Sequence, residues 1–108
     1  MVDFYADWCV ACQHMDYTTL VDDKVMELSL QFQNVKLDPS KDEAAEKLKN
    51  DVWQVGGMPA YIFITASQIE TTPIGLLLPD AILQGKQSAS KFSETQEKVI
   101  NEQVSSIA

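Results

Sequence analysis

Val2-Asp3-Phe4-Tyr5-Ala6-Asp7-Trp8-Cys9-Val10-Ala11-Cys12-Gln13 is the stretch on which the fold turns. Val2–Ala6 is apolar and aromatic except for Asp3, the pattern of a strand covered on both faces. A helix follows directly from Cys9. Cys9 and Cys12 are the only two cysteines in the chain, and their spacing places Cys9 at the exposed helix tip and Cys12 about one turn in. Unpaired N–H groups and the helix dipole at that tip favour a thiolate over a thiol. A thiolate beside a second thiol can attack a disulfide and then be displaced by its neighbour, which is thiol–disulfide exchange. Two other uses compete with this one. A structural zinc site takes four ligands, and the chain offers a single histidine besides the pair. Inert buried cysteines are the other.

Outward from this junction, the helix is expected to carry Val10, Ala11, Met15 and Leu20 inward and to break near Thr18-Thr19. Asp22-Asp23 caps a second helical piece, with Val25, Met26, Leu28 and Leu30 at its apolar positions. Residues 34–38 read as a short strand closed by Pro39. Ser40-Lys41-Asp42-Glu43 has the form of a capping box and opens a helix over about 41–51, with Ala44, Ala45, Leu48 and Val52 at helical spacing. Gly56-Gly57-Met58-Pro59 breaks the chain, and Ala60–Thr65 is the clearest strand. Residues 66–80 read as a long hairpin connection around Pro73, Ile74, Gly75, Leu76–Leu78 and Pro79, leading to a strand near Ala81–Gln84 that Gly85 ends or bulges. From Ser88, the residues Phe92, Val99, Ile100, Val104 and Ile107 repeat as on a closing amphipathic helix. The order is β-α-β-α-β-β-α. A helix between the first two strands makes them parallel with a right-handed crossover, and the last two pair antiparallel. The expected fold is α/β, a mixed four-stranded sheet with helices on both faces.

The 108 residues amount to one domain, with 45% hydrophobic and 22% charged residues, ordinary for a globular protein. A net charge of −8 leaves nothing to neutralise phosphates and disfavours an anionic membrane surface. No apolar run approaches the ~20 residues of a membrane helix. Met1 leads at once into an interior strand, so the chain is expected to be part of a longer one, with any targeting signal or anchor outside it.

With Trp8-Cys9-Val10-Ala11-Cys12 after one strand and Gly57-Met58-Pro59 before another, the chain resembles the thioredoxin superfamily over Val2 to about Val104. The strand and helix that most thioredoxins place before the active-site strand are absent or truncated here. Tyr5-Ala6-Asp7-Trp8-Cys9-Val10-Ala11-Cys12, Tyr17-Thr18, Asp22 and Asp42 are similar to the C-terminal thioredoxin-like domain of the DsbD thiol:disulfide interchange family. Val10-Ala11 departs from the Gly-Pro of ordinary thioredoxins, and Met58 stands where many relatives carry a branched aliphatic.

This resemblance implies a protein-disulfide reductase whose only redox group is the Cys9–Cys12 disulfide, with no other cofactor and no metal. Cys9 is the nucleophile and Cys12 the resolving thiol. Asp3 corresponds to the buried acid that takes the resolving cysteine's proton; the alternative is a solvated position on a strand edge. Asp16, four residues after Cys12, matches a second acid that raises thiol pKa, or is a solvated helix-face residue. Pro59 corresponds to a cis proline packed beside the cysteines, with the Met58 backbone pairing with a partner strand; a trans turn proline is the alternative. Trp8 lids the pair or belongs to the core. His14 reads as surface, and Trp53 as packing. Leu76–Leu78 reads as packing or, if exposed, as a partner patch. The expected partners are protein thiols and disulfides: a membrane-embedded electron donor and a periplasmic acceptor domain, with no nucleic acid and no membrane insertion of this segment. The chain is expected to be monomeric and to serve cytochrome c biogenesis on the periplasmic face of a bacterial inner membrane, or the cytoplasm if the kinship is more distant. The runner-up readings are a stand-alone thioredoxin-like reductase or oxidase and a non-catalytic metal-binding or partner-binding module.

Overall fold

The computed structural model describes residues 1–73 and 76–107. Its sheet has four strands, β1 (Val2–Phe4), β2 (Val35–Leu37), β3 (Ala60–Phe63) and β4 (Ala81–Gln84), in the order β2-β1-β3-β4. β1 runs parallel to β2 and antiparallel to β3, and β3 runs antiparallel to β4. The helices are α1 (Val10–Tyr17), α2 (Asp23–Ser29), α3 (Glu43–Lys47), α4 (Ala66–Thr71) and α5 (Ala89–Ile107). A 3₁₀ turn at Thr19–Val21 joins α1 to α2, and a π-helical turn at Leu48–Val52 extends α3.

Alternation along the strands sorts the core into two layers. Tyr61, Phe63 and Leu83 meet Met15 of α1, Val25 of α2, and Phe92 and Val99 of α5 on one face. Phe4, Ala60 and Ile62 meet Ala45 of α3, Trp53 and Val55 on the other. Edge-to-face ring contacts tie each layer, Tyr61 to Phe92 at 5.0 Å and Phe4 to Trp53 at 5.9 Å. Each fully buried side chain of this size stabilises the fold by ~1.5–3 kcal/mol. β1 lies inside the sheet with both edges paired, its Val2 and Phe4 turned to the Ile62 layer and Asp3 to the opposite face.

Several expectations are corrected. The 66–80 connection contains α4, so the order is β-α-β-α-β-α-β-α when the two pieces of the first helical stretch are taken as one. No Gly or Pro interrupts 66–72, and Asp80 holds the entry to α4 by accepting from the Thr65 N–H at 2.7 Å. Ile74 and Gly75 lie outside the described residues, as do the side chains of Val104 and Ile107. α3 is capped by Asp42, whose Oδ1 accepts from the Ala44 and Ala45 N–H groups at 3.0 and 3.3 Å. Ser40 instead bonds Asp38. Val10, Met26 and Leu30 are exposed. The inward stripe of the first helical stretch runs Cys12, Met15, Thr19, at spacings of three and four that leave Val10 on the opposite side.

Candidate active site

Cys9 is the N-cap of α1, with extended φ −84° and ψ 104°. Its Sγ accepts from the Cys12 N–H at 3.1 Å, and the two residues form a disulfide with their Cα atoms 5.2 Å apart. Backbone bonds fix the cap on both sides, from Cys9 N to the Ala6 carbonyl at 3.0 Å and from Gln13 N to the Cys9 carbonyl at 3.1 Å. The sulfur already accepts one N–H at the helix start, the position where a thiolate is favoured over a thiol. Cys9, Cys12 and Ala6 form a small buried cluster of their own, with Tyr5, Ala11 and Met58 packed against it.

Met58 comes from a different part of the chain, the loop that leads into β3. The Met58–Pro59 peptide bond is cis. The Pro59 carbonyl accepts from the Gly85 N–H at 2.8 Å, which fastens the loop to the end of β4. Gly85 has φ +81°, a conformation that favours glycine. A Cβ on Gly57 would stand 2.9 Å from Gln84 Nε2, so the loop also passes close over β4.

Asp3 is 5% exposed, because central β1 leaves no edge for it. It pairs in register with Lys36 on one side and Tyr61 on the other, so its side chain shares their face of the sheet. Burial pushes the Asp3 carboxyl up to about 6; the Lys36 charge works against this, and the Asp16 charge adds to it. Burial, with the charges of Asp3 and Asp16, also raises the Tyr61 hydroxyl well above its usual range. Asp16 is partly exposed, with both carboxylate oxygens 3.5 Å from Lys36 Nζ. The same ammonium lies 4.8 Å from the centre of the Tyr5 ring. Lys36 thus links the two acids and the aromatic residue after β1. Sequence reading passed over it, because the parallel pairing of the first two strands was expected but the register that sets Lys36 opposite Asp3 was not.

Trp8 is 68% exposed, so it is not a core residue; it stands beside Cys9 at the mouth of the site. Asp7 before it pairs with Lys41 at 2.7 Å, and the Asp7 carbonyl accepts from Gln13 Nε2 at 2.8 Å. These contacts hold the loop that carries Trp8. His14 is exposed. Trp53 is buried, and its Nε1 donates to the Leu77 carbonyl at 3.2 Å. Leu77 is buried, while Leu76 and Leu78 face outward. Among the described residues, no group of three or more His, Cys, Asp or Glu side chains could hold a metal ion, and no helix is long and apolar enough to cross a membrane.

Residues 1–87 match the thioredoxin family model. The chain belongs to the thioredoxin family. Among curated members it is similar to the thiol:disulfide interchange protein DsbD of Tatumella citrea, 33% identical over 92 residues, which is 85% of this chain and 15% of the relative. DsbD of Vibrio vulnificus is 32% identical over 101 residues, 94% of this chain and 16% of the relative. The chain thus spans about 15% of the length of the curated relatives it matches. Two solved structures share its fold. A thioredoxin from Thermus thermophilus superposes with TM-score 0.70 at 21% identity, covering 94% of this chain and 73% of that one. The reduced C-terminal domain of DsbD from Neisseria meningitidis gives 0.68 at 23% identity, covering 90% and 76%. The thioredoxin fold, with its Cys-x-x-Cys disulfide at the start of α1, fits thiol–disulfide exchange.

Proposed function

We propose that this chain is a protein-disulfide reductase domain that passes electrons by dithiol/disulfide exchange, acting as the thioredoxin-like relay of a DsbD-like reductant system. The observation that carries this reading is the disulfide at the α1 N-cap, with Cys9 Sγ already accepting a helix N–H and Met58 packed against the pair.

In the dithiol form, the Cys9 thiolate attacks one sulfur of a partner disulfide. The partner S–S bond breaks, its other sulfur leaves as a thiolate and takes up a proton, and a mixed disulfide joins Cys9 to the partner. Cys12 then gives its proton to the Asp3 carboxylate, and its thiolate attacks Cys9 Sγ. The Cys9–partner bond breaks, the partner's second sulfur leaves as a thiolate and takes up a proton from water, and the partner departs as a dithiol. Two electrons have moved to the partner and Cys9–Cys12 is a disulfide again. Asp3, raised to about 6, accepts this proton near neutral pH and releases it between turnovers. Asp16, four residues after Cys12 on the same helix, works against the thiolate by like-charge repulsion and so limits exchange when no partner is bound. The Met58 backbone next to cis Pro59 pairs with an extended partner segment, and Trp8 covers its other side.

The relatives' length supports placing this chain as one domain of a larger protein. On that reading its partners are a membrane-embedded electron donor and an acceptor domain on the periplasmic side of a bacterial inner membrane. The relay itself acts as a monomer and needs no cofactor beyond its own disulfide.

Insulin reduction with dithiothreitol as electron source tests the exchange chemistry. Wild type should accelerate it and Cys9→Ser should not. Full activity in Cys9→Ser would end the proposal.

A further inference from the structure

Lys49 is a buried cation that the exchange chemistry leaves unused. It sits in the π-helical turn after α3 and is 6% exposed. Among the described residues, no carboxylate lies within ion-pair distance of its ammonium. An ammonium withdrawn from water without an opposite charge is unfavourable, and a hydrocarbon of equal length would fill the same space without that penalty.

What the ammonium touches is the start of the loop that carries Met58 and Pro59. Nζ donates to the Val55 carbonyl at 2.7 Å and to Asn50 Oδ1 at 3.3 Å. The Lys49 carbonyl accepts from the Val55 N–H at 2.8 Å. One residue therefore holds both backbone polar groups of Val55. Between the two, the chain reverses through Gln54 at φ +54°, a left-handed conformation that few side chains adopt. Val55 is buried against the Phe4–Ile62 layer. The far end of the loop is fixed separately, by the Gly85 N–H on the Pro59 carbonyl. Clamped at Val55 and at Pro59, the loop has little freedom to carry Met58 away from the cysteine cluster.

We infer that Lys49 is a positioning residue for the Val55–Pro59 loop, setting affinity for a protein disulfide while leaving the sulfur chemistry untouched. The inference rests on the exchange reading above. It predicts a split that a merely structural role would not produce. A protein partner must lie along the loop, whereas a small aromatic disulfide needs only to reach Cys9 Sγ.

Lys49→Met keeps the stem and removes the donor. The KM for insulin should rise about 5-fold, the size of one lost hydrogen bond, with kcat, the rate toward dithiobis-nitrobenzoate and the Cys9–Cys12 reduction potential all unchanged. Lys49→Arg, which keeps charge and donors, should move KM back toward wild type. An unchanged insulin KM, or a parallel loss toward both disulfides, overturns the inference while leaving the exchange reading standing. A wild type inert toward both disulfides overturns the exchange reading itself, whatever residue stands at 49. Should Lys49→Met not fold, Lys49→Gln, an uncharged donor of shorter reach, carries the same readings under the same criteria.

Discussion

At residue 3 the protein keeps a carboxyl where a neutral side chain would cost less. Unfolded, Asp3 ionises near 3.8; folded, burial moves this to about 6. Below the lower value both states hold the proton, and the residue adds no pH dependence. Between the two values the unfolded chain releases its proton first, so the folded state binds more protons and stability falls as pH rises. Above about 6 the whole penalty is present, ~3 kcal/mol at most for a gap of this size. Asp3→Asn should therefore be more stable than wild type by up to ~3 kcal/mol at about pH 8, with the difference shrinking away near pH 4. Urea denaturation of the oxidised protein at the two pH values checks this, and an equal difference at both would refute it. The same variant should slow release of the mixed disulfide, because Cys12 loses its proton acceptor. Lys36→Met removes the charge that opposes the shift. It should move the upper end of this stability loss to a pH above about 6.

Among the elements, α3 separates two sequence signals that both point to a helix start. Ser40 and Glu43 have the spacing of a capping box, but Asp42 makes the cap bonds. Asp42→Ala should cost ~1 kcal/mol and Ser40→Ala distinctly less, measured as shifts in thermal midpoint. The reverse order would restore Ser40 as the cap. The elements legible in advance were those with a local cause. β3 announces itself by an unbroken apolar run, β1 by the apolar and aromatic residues around Asp3, α2 by the Asp22 cap, and the β4 end by Gly85. α4 was not legible, because what holds its entry is Asp80, a residue far along the chain that bonds the Thr65 N–H. The site divides in the same way. Cys9, Cys12 and Pro59 belong to short motifs and could be read directly. Lys36 and Lys49 gain their meaning from strand register and from a turn, neither of which single residues encode. Val10, Met26 and Leu30 show the converse: apolar type at roughly helical spacing did not make them core, because half a turn decides the face.

For the molecule as a whole, charge is the property that no single residue displays. A net −8 on 108 residues sets up a negative field around a site that itself contains Asp3, Asp7 and Asp16, offset nearby by Lys36 and Lys41. At low ionic strength this field should repel anionic disulfides and draw cationic ones toward Cys9, with both effects fading once the screening length falls below the size of the site. Two small disulfides of opposite charge isolate the effect from any fit to the Met58–Pro59 loop. From ~10 mM to ~200 mM salt, the second-order rate of the reduced protein with dianionic dithiobis-nitrobenzoate should rise. The rate with dicationic cystamine should fall over the same range, the two converging by severalfold. Stopped-flow measurement at fixed pH reads both. Reversed salt dependences would mean that the lysines at the site's rim, rather than the charge of the whole chain, govern what reaches the sulfur, and parallel ones would refute electrostatic control altogether.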